Sequence, residues 1–392
     1  MDRARVAVFV VFAVNGLALG SWASRTPALA AQVHASPGVF GLALLGASAG
    51  MLAAASVAGR IIERAGARVV VAGSTGCAAG SMVLVGFAPA VPLLAGALLL
   101  IGMSVGMLDV AMNVAAVAVE RRIRRPIMPE FHAGFSVGAL AGALAASLAA
   151  GHGWSPGRHL TVAAVVAVAA LLPVIRAVPG SRPEPTEEAA PGRAPIRRPV
   201  LWLLAAVALC SAIAEGASSD WSALLMTAER GVGQGAAALA FAGFQLVMVL
   251  TRLAGSRAQR RFGPTRCLAA GSVLAAAGLL AAATIPVAAA GYLGFALAGA
   301  GLAASFPLAL SLAGDAGKRG DGTGGEREIG FVTAIAYTGF LGGPPIVGGI
   351  AQVTDYGVAF GFVGLVAALI LPAALGARRA RQREAAALTA ES

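Results

Sequence analysis

Twelve long apolar runs follow one another along this chain, and they restrict its possible folds more than any other feature. A bilayer core of about 30 Å requires roughly 20 apolar residues of α-helix, because each residue advances a helix by about 1.5 Å. The predicted spans are 6–24, 38–59, 68–87, 92–119, 131–150, 159–176, 199–221, 235–255, 266–284, 286–312, 329–351 and 357–376. The first run follows Arg3 and Arg5 as a signal peptide would, but its length and eleven further runs favour a span.

The composition agrees with a helical membrane protein. Of 392 residues, 58% are hydrophobic and 12% are charged, which is too little charge to solvate the surface of a soluble domain. The apolar runs are continuous, whereas the strands of a membrane β-barrel alternate apolar and polar residues. The three cysteines lie inside apolar runs without a CxxC pattern, so the sequence predicts no metal site and no cofactor.

The basic residues predict the orientation of the chain in the membrane. Of 29 Lys and Arg residues, only Arg25, Arg158 and Arg230 fall on the side opposite the two termini. Because cytoplasmic loops are enriched in Lys and Arg, both termini are predicted to lie in the cytoplasm, with the chain in the inner membrane. The net charge of +11 is therefore interpreted as a topology signal and not as a site for nucleic acid.

A proline-rich segment divides the twelve runs into six and six. The predicted parts are an N-terminal six-helix bundle at 1–176, a cytoplasmic linker at 177–198, a C-terminal bundle at 199–376 and a cytoplasmic tail at 377–392. A second polar segment, 314–328, contains GTGG but lacks the GK[ST] ending of a phosphate loop. It is interpreted as a flexible loop.

The segment after the second run carries a motif of glycines and charges. It consists of Gly59, Glu63, Arg64, Gly66 and Arg68, and it resembles the loop motif of the major facilitator superfamily. Glu63 stands where that family usually has Asp, and 255–263 looks like a degraded copy in the second half. The resemblance implies two pseudo-symmetric halves, with arginines that hold one conformation by capping helix ends and pairing with acids. A positive-inside anchor alone is the alternative.

Four further segments resemble the fucose-permease-like group of that superfamily, including its MosC-like bacterial branch. They are 22–27 (WASRTP), 108–113 (LDVAMN), 131–136 (FHAGFS) and 215–222 (EGASSDWS). Related permeases carry an acid in the fourth span followed four residues later by Asn, and there the acid is implicated in proton-coupled sugar uptake. Asp109 and Asn113 match that arrangement.

Asp109 is the first candidate for proton or substrate binding. Gly102, Gly106, Asp109 and Asn113 fall on one face of the fourth span, and Asp109 lies about 15 Å from its predicted cytoplasmic end. A carboxylate inside a span is costly and usually faces the bundle interior. Proton exchange and a structural hydrogen bond to a neighbouring helix both remain open.

Glu215 is the corresponding candidate in the seventh span, where it shares a face with Ser211, Ser218 and Ser222. Coupling or binding of a polar substrate and a structural role both remain open. Trp221 is predicted to anchor this span at the membrane interface.

The resemblance to the major facilitator superfamily implies that the first and seventh spans meet across a central cavity, so Arg25 and Asp220 are predicted to form an outer gate. Glu215 is the alternative partner of Arg25. Arg25 could instead extend to lipid headgroups or bind an anionic substrate group.

Five residues complete the predicted cavity: Asn15, Trp22, His132, Gln245 and Tyr337. Asn15 and Trp22 share a face with Arg25, and His132 titrates near neutral pH, so it could release protons. A helix-end hydrogen bond by His132 and simple packing by the aromatic residues are the alternatives.

The sequence thus predicts a monomeric, proton-coupled secondary transporter of a small solute, sugar or polyol by resemblance, with membrane lipid as its other partner. The alternatives are an efflux pump for an amphipathic compound and a non-transporting receptor or scaffold. The fifth span lacks the exporter-like Gly-Pro motif, which weighs against efflux. No set of catalytic residues stands out, so an enzyme is not predicted.

Overall fold

The structure is a computed structural model that describes residues 2–124, 127–182, 195–318 and 325–391. The described residues are mainly α-helical. The helices are α1 (Arg3–Ala23), α2 (Thr26–Gln32), α3 (Pro37–Ala65), α4 (Ala67–Gly86), α5 (Val91–Ile123), α6 (Met128–Gly151), α7 (Pro156–Leu171), α8 (Pro199–Ala228), α9 (Gln234–Phe262), α10 (Pro264–Thr284), α11 (Ala288–Leu302), α12 (Ser305–Gly317), α13 (Glu326–Val353), α14 (Tyr356–Ala368) and α15 (Ile370–Glu391). The central part of the predicted linker, 183–194, and part of the 314–328 loop lie outside the described residues.

The predicted twelve-helix membrane fold is confirmed. Within the described ranges, eleven helical segments are long and apolar enough to cross a membrane, and the shorter apolar helix α7 occupies the place of the sixth span. The pairs α11–α12 and α14–α15 each form one span. The break between α11 and α12 precedes Pro307, whose ring removes the backbone donor that would continue the helix.

Several spans extend further than the hydropathy predicts, and besides α5 and α9 they include α3, which continues to Ala65, and α8, which continues to Ala228. The helix α5 continues to Ile123 and α9 continues to Phe262. Arg252 lies inside α9, as the predicted span 235–255 implies.

A single glycine joins two consecutive spans at the same place in each half. Gly66 connects α3 to α4 with φ +80°, and Gly263 connects α9 to α10 with φ +79°. With ψ near +150°, this backbone conformation is almost restricted to glycine, because a Cβ atom would clash. The equivalent turns support an internal repeat of six helices.

The two halves contact each other near one face of the bundle. We name the face where α1 begins the terminal face, and the opposite face, where α3 begins, the distal face. The described hydrogen bonds between the halves run from Gly38 N–H to Gln352 Oε1 (3.2 Å), from Ser48 Oγ to the Phe340 carbonyl (2.8 Å) and from Ser147 Oγ to the Gly235 carbonyl (2.7 Å). They lie in the distal half of the bundle.

Candidate functional site in the helix bundle

A cavity of about 670 Å³ lies along the half of α5 that is closer to the terminal face. Its lining residues are Asp109, Val110, Asn113, Val114, Val117, Ala118, Arg121, Met128, Ser181 and Arg182. Arg121 and Arg182 are exposed. Five of the ten lining residues are therefore apolar and five are polar or charged, with Asp109 at the deep end and basic groups at the rim.

Asp109 occupies the deep end of this cavity. It precedes the end of α5 by fourteen residues, which places it about 21 Å from that end, deeper than predicted because α5 is longer. Among the described residues, no hydrogen bond or ion pair reaches its carboxylate. Gly102, on the same face, packs against α3 so closely that an added Cβ would collide with the Ala47 carbonyl. The glycines of this face hold two helices together, while its polar residues line the cavity.

Asn113 and Tyr337 flank Asp109 in different ways. The Asn113 side-chain amide donates to the backbone carbonyl of Asp109 at 2.8 Å, so it binds the helix backbone and not the carboxylate. Tyr337, on α13 of the other half, lies within electrostatic range of the Asp109 carboxylate. The structure thus brings two predicted site residues together across the two halves.

Glu215 forms an ion pair that the sequence did not predict. Its Oε1 lies 3.7 Å from Nη2 of Arg252 on α9, and both side chains are partly exposed. Arg252 also donates from Nε to the Ala303 carbonyl at 3.2 Å. Arg252 follows the buried Gln245 by seven residues, which places both on the same helix face. That spacing could have indicated that Arg252 faces the bundle interior.

His132 lies on α6 of the first half, within electrostatic range of Arg252 of the second half. Its ring packs edge-on against Phe12, with centroids 5.3 Å apart. The side chain is exposed, so protonation of this imidazole would place two cations near each other across the halves.

The predicted gate pair is not formed in this structure. Arg25 is 2% exposed and donates from Nη2 to the Trp154 carbonyl at 2.5 Å, because its side chain lies beneath the α6–α7 connection of its own half. Glu215 is engaged by Arg252. Within the described ranges, no ion pair or hydrogen bond reaches the Asp220 side chain.

Three further residues are more buried than the sequence suggested. Asn15 contacts the Met112 sulfur at 3.6 Å between α1 and α5, and Trp22 is buried in the same half. Neither lines the cavity described above. Trp221 is fully buried and packs against Phe40 of the other half, so its prediction as an interfacial anchor is wrong.

The charged motif after the second span forms the end of α3 and the start of α4. Gly59, Glu63 and Arg64 lie on exposed last turns of α3. Arg68 donates from Nε to the Val178 carbonyl at 2.7 Å, which ties α4 to the segment after α7. Among the described ion pairs, none includes Glu63, Arg64 or Arg68, so carbonyl capping is observed here and pairing with acids is not.

Known proteins share both the sequence pattern and the fold. A family model described as Major Facilitator Superfamily matches residues 7–325 and 221–391. An uncharacterized transporter of Sinorhizobium fredii is 34% identical, with 92% of this chain and 94% of the relative covered. An uncharacterized MFS-type transporter of Yersinia pestis is 31% identical, with 95% of each chain covered. The membrane protein MosC of Rhizobium meliloti is 28% identical, with 93% of this chain and 88% of MosC covered.

Two solved structures are similar in fold at low sequence identity. A mutant form of the nucleoside transporter NupG superposes with a TM-score of 0.79 at 12% identity, covering 95% of this chain and 99% of NupG. A bacterial homolog of the human lysosomal transporter Spinster, in an inward-facing and occupied conformation, gives 0.71 at 13% identity, covering 96% of each chain. With the family match and the curated relatives, they show that this multi-pass membrane protein is a transporter, not an enzyme, and that the chain belongs to the Major Facilitator Superfamily.

Proposed function

We propose that this protein moves a small polar solute, of the sugar or polyol class, across the cell membrane by alternating access, coupled to protons at Asp109. The proposal rests on the Asp109 carboxylate, which lies at the deep end of the cavity and has no hydrogen bond or ion pair among the described residues. An unpaired carboxylate inside a span costs roughly 2.5–3.5 kcal/mol on insertion scales, and protonation removes much of that cost. A carboxyl group whose charged form is costly and whose neutral form is much less so can exchange a proton during a transport cycle.

The position of Tyr337 supports coupling between the two halves. Its hydroxyl lies within electrostatic range of Asp109 but belongs to α13 of the second half. A solute hydroxyl bound between the two side chains would contact both halves at once. Binding that differs between two conformations is what shifts their populations.

The orientation proposed here places both termini in the cytoplasm of the inner membrane. The excess of basic residues on the terminal face supports it. The distal contacts between the halves and the cavity beside the terminal half of α5 then correspond to a state open to the cytoplasm. We further propose that the protein acts as a monomer surrounded by lipid.

Liposomes containing the purified protein test the proposal. A pH-sensitive dye inside the vesicles reports proton entry when a solute from a panel of sugars, polyols and nucleosides is added outside. We expect one class of solute to drive proton entry, and Asp109→Asn to abolish that flux while preserving exchange of labelled solute between the two sides. Exchange is preserved because the neutral amide mimics the protonated acid.

Asp315→Asn is the matched control, because Asp315 is an exposed carboxylate that pairs with Lys318 outside the cavity. It should leave the proton flux unchanged. Proton-coupled uptake that survives in Asp109→Asn would remove Asp109 from the mechanism. Solute-driven flux only in the outward direction would favour the efflux alternative, and the absence of flux for every solute would favour a receptor or scaffold.

A further inference from the structure

Arg25 is a buried cation with unsatisfied hydrogen-bond donors. One guanidinium nitrogen donates to the Trp154 carbonyl, whereas Nε and Nη1 are buried without a hydrogen-bond partner. The residue is 2% exposed. A buried charge is strongly unfavourable unless it is paired and its donors are satisfied.

No acid within the described ranges forms an ion pair with Arg25. His159 of α7, a helix that packs against α1, lies within electrostatic range of Arg25; it is 3% exposed and has both ring nitrogens buried without partners. A histidine can be neutral or cationic, so it cannot neutralise an arginine. The positive charge of this region is therefore uncompensated by the described side chains.

The second half of the molecule contains another buried arginine near the distal face, and its partners differ from those of Arg25. Arg230 follows α8, the first span of its half, as Arg25 follows α1, and its side chain is also buried, at 4% exposure. Glu229 lies 3.4 Å from its Nη1, and Nη2 donates to the Ala282 and Ala283 carbonyls. Of these two buried arginines near the distal face, Arg230 therefore has a carboxylate partner, with only its Nε lacking a hydrogen bond, whereas Arg25 has no carboxylate partner among the described residues.

Hydroxyl groups accompany Arg25 along the chain. Ser24 and Thr26 are its neighbours, and both side-chain oxygens are buried without partners. We define the Arg25 cluster as Ser24, Arg25, Thr26 and His159. Guanidinium, hydroxyl and imidazole N–H groups are donors, and charge-assisted bonds to an anion are the strongest bonds that such a set can form.

We propose that the Arg25 cluster binds one small monovalent anion, either a halide or a small carboxylate, at the distal end of the first half. The bound anion supplies the negative charge that Glu229 supplies to Arg230 in the second half. The cluster adjoins the partly exposed α6–α7 connection, whose Trp154 carbonyl accepts a hydrogen bond from Arg25. The inference does not depend on the transported solute.

The melting temperature of the full-length protein in detergent tests this site. Sodium chloride, formate or acetate replaces sodium isethionate, a bulkier sulfonate, at constant ionic strength. Binding to the folded state raises the melting temperature, and above the dissociation constant the rise grows with the logarithm of the anion concentration. Response to chloride alone identifies a halide site, whereas a stronger response to formate or acetate identifies a carboxylate site.

Arg25→Gln should weaken the anion affinity by about tenfold or more, because it removes the charge of the donor set. Arg230→Gln is the matched control, since it alters a buried arginine with its own carboxylate, and it should retain the full anion response. His159→Ala provides a second variant with a weakened response if Arg25→Gln does not fold. The proposal would be overturned if the melting temperature of the wild-type protein were the same in every salt. Water would then fill the cluster in place of an anion. An equal response in Arg25→Gln would do so too.

Discussion

Interior charges in this protein are stabilised in different ways, residue by residue. Glu215 is paired with Arg252, Arg25 has one carbonyl partner, and the described residues offer the Asp109 and Asp220 carboxylates no hydrogen bond or ion pair. Each charge inside a span costs roughly 2.5–3.5 kcal/mol on insertion scales, so a transporter retains it only where it has a role. The unpaired acids are the residues whose protonation costs no existing interaction.

The Glu215–Arg252 pair should contribute little to stability. At 3.7 Å, and with 25% and 32% of the side chains exposed, its coupling energy is expected to be about 0.5 kcal/mol, within the range of solvated pairs. A double-mutant cycle with Glu215→Gln, Arg252→Gln and the double variant measures it from free energies of unfolding in detergent. The Arg198–Glu384 pair, at 2.7 Å, provides a reference cycle. Coupling of several kcal/mol would show that the pair is desolvated and structural.

Sequence reasoning identified Asp109 and Asn113 together but not their exact contacts. Residues four apart are neighbours on a helix, so Asn113 was expected beside Asp109. The hydrogen bond from the Asn113 side-chain amide to the Asp109 backbone carbonyl confirms that proximity. The pairing of Arg252 with Glu215 was missed because it depends on how α8 and α9 pack against each other. The direction of the Arg25 side chain depends on packing with the α6–α7 connection, which is a tertiary contact without a local sequence signal.

At the scale of helices, two glycine turns define the repeat. Gly66→Ala should lower the free energy of unfolding by about 1–3 kcal/mol, since alanine is strained at φ +80° and ψ +150°. Gly263→Ala should have a similar effect in the other half, because its backbone is nearly the same. Unfolding by denaturant in detergent, followed by the loss of helical signal, measures both.

Gly59→Ala is the matched control within the same motif. Gly59 lies in α3, and an added Cβ would meet no atom within 4 Å. Alanine should therefore be neutral or stabilise the helix by roughly 0.5–1 kcal/mol. Equal losses of stability in Gly59→Ala and Gly66→Ala would show that backbone strain at Gly66 is not the cause.

The helices themselves were largely predictable, because lipid requires every span to satisfy its own backbone. Their ends were less predictable. Hydropathy falls when Arg and Glu begin to appear, but α5 and α9 remain helical for further turns beyond that point. The division of the tenth span into α11 and α12 follows from Pro307, which the sequence displays directly.

At the scale of the whole molecule, the two halves form hydrogen bonds with each other in the distal half of the bundle, and the cavity lies toward the terminal face. Close packing of glycines makes the distal contact tight: an added Cβ at Gly41 would lie 2.7 Å from the Pro344 carbonyl oxygen. Alternating access requires this contact to open in each cycle. The pairing of α3 with α13 was not derivable from hydropathy, because it depends on how the two halves face each other.

A disulfide across the distal face should therefore stop transport reversibly. Gly38 and Gln352 suit this test, because a Cβ added at Gly38 would lie 3.4 Å from Cβ of Gln352, close to the separation of about 3.5–4.5 Å found in disulfides. Gly38→Cys with Gln352→Cys is made in a background in which Cys77, Cys210 and Cys267 are replaced by alanine. We expect oxidation to abolish uptake of the solute identified by the proton-flux panel, and reduction to restore it.

Each single cysteine variant is the control, since neither can form the crosslink, and both should transport equally before and after oxidation. The crosslinked protein should still bind the solute from the terminal face, because the disulfide holds the halves in the conformation described here. Binding without uptake thus separates a locked transporter from a damaged one. Full uptake by the completely crosslinked protein would show that the halves need not separate at Gly38 and Gln352, and rocking of one half against the other would then have to be abandoned.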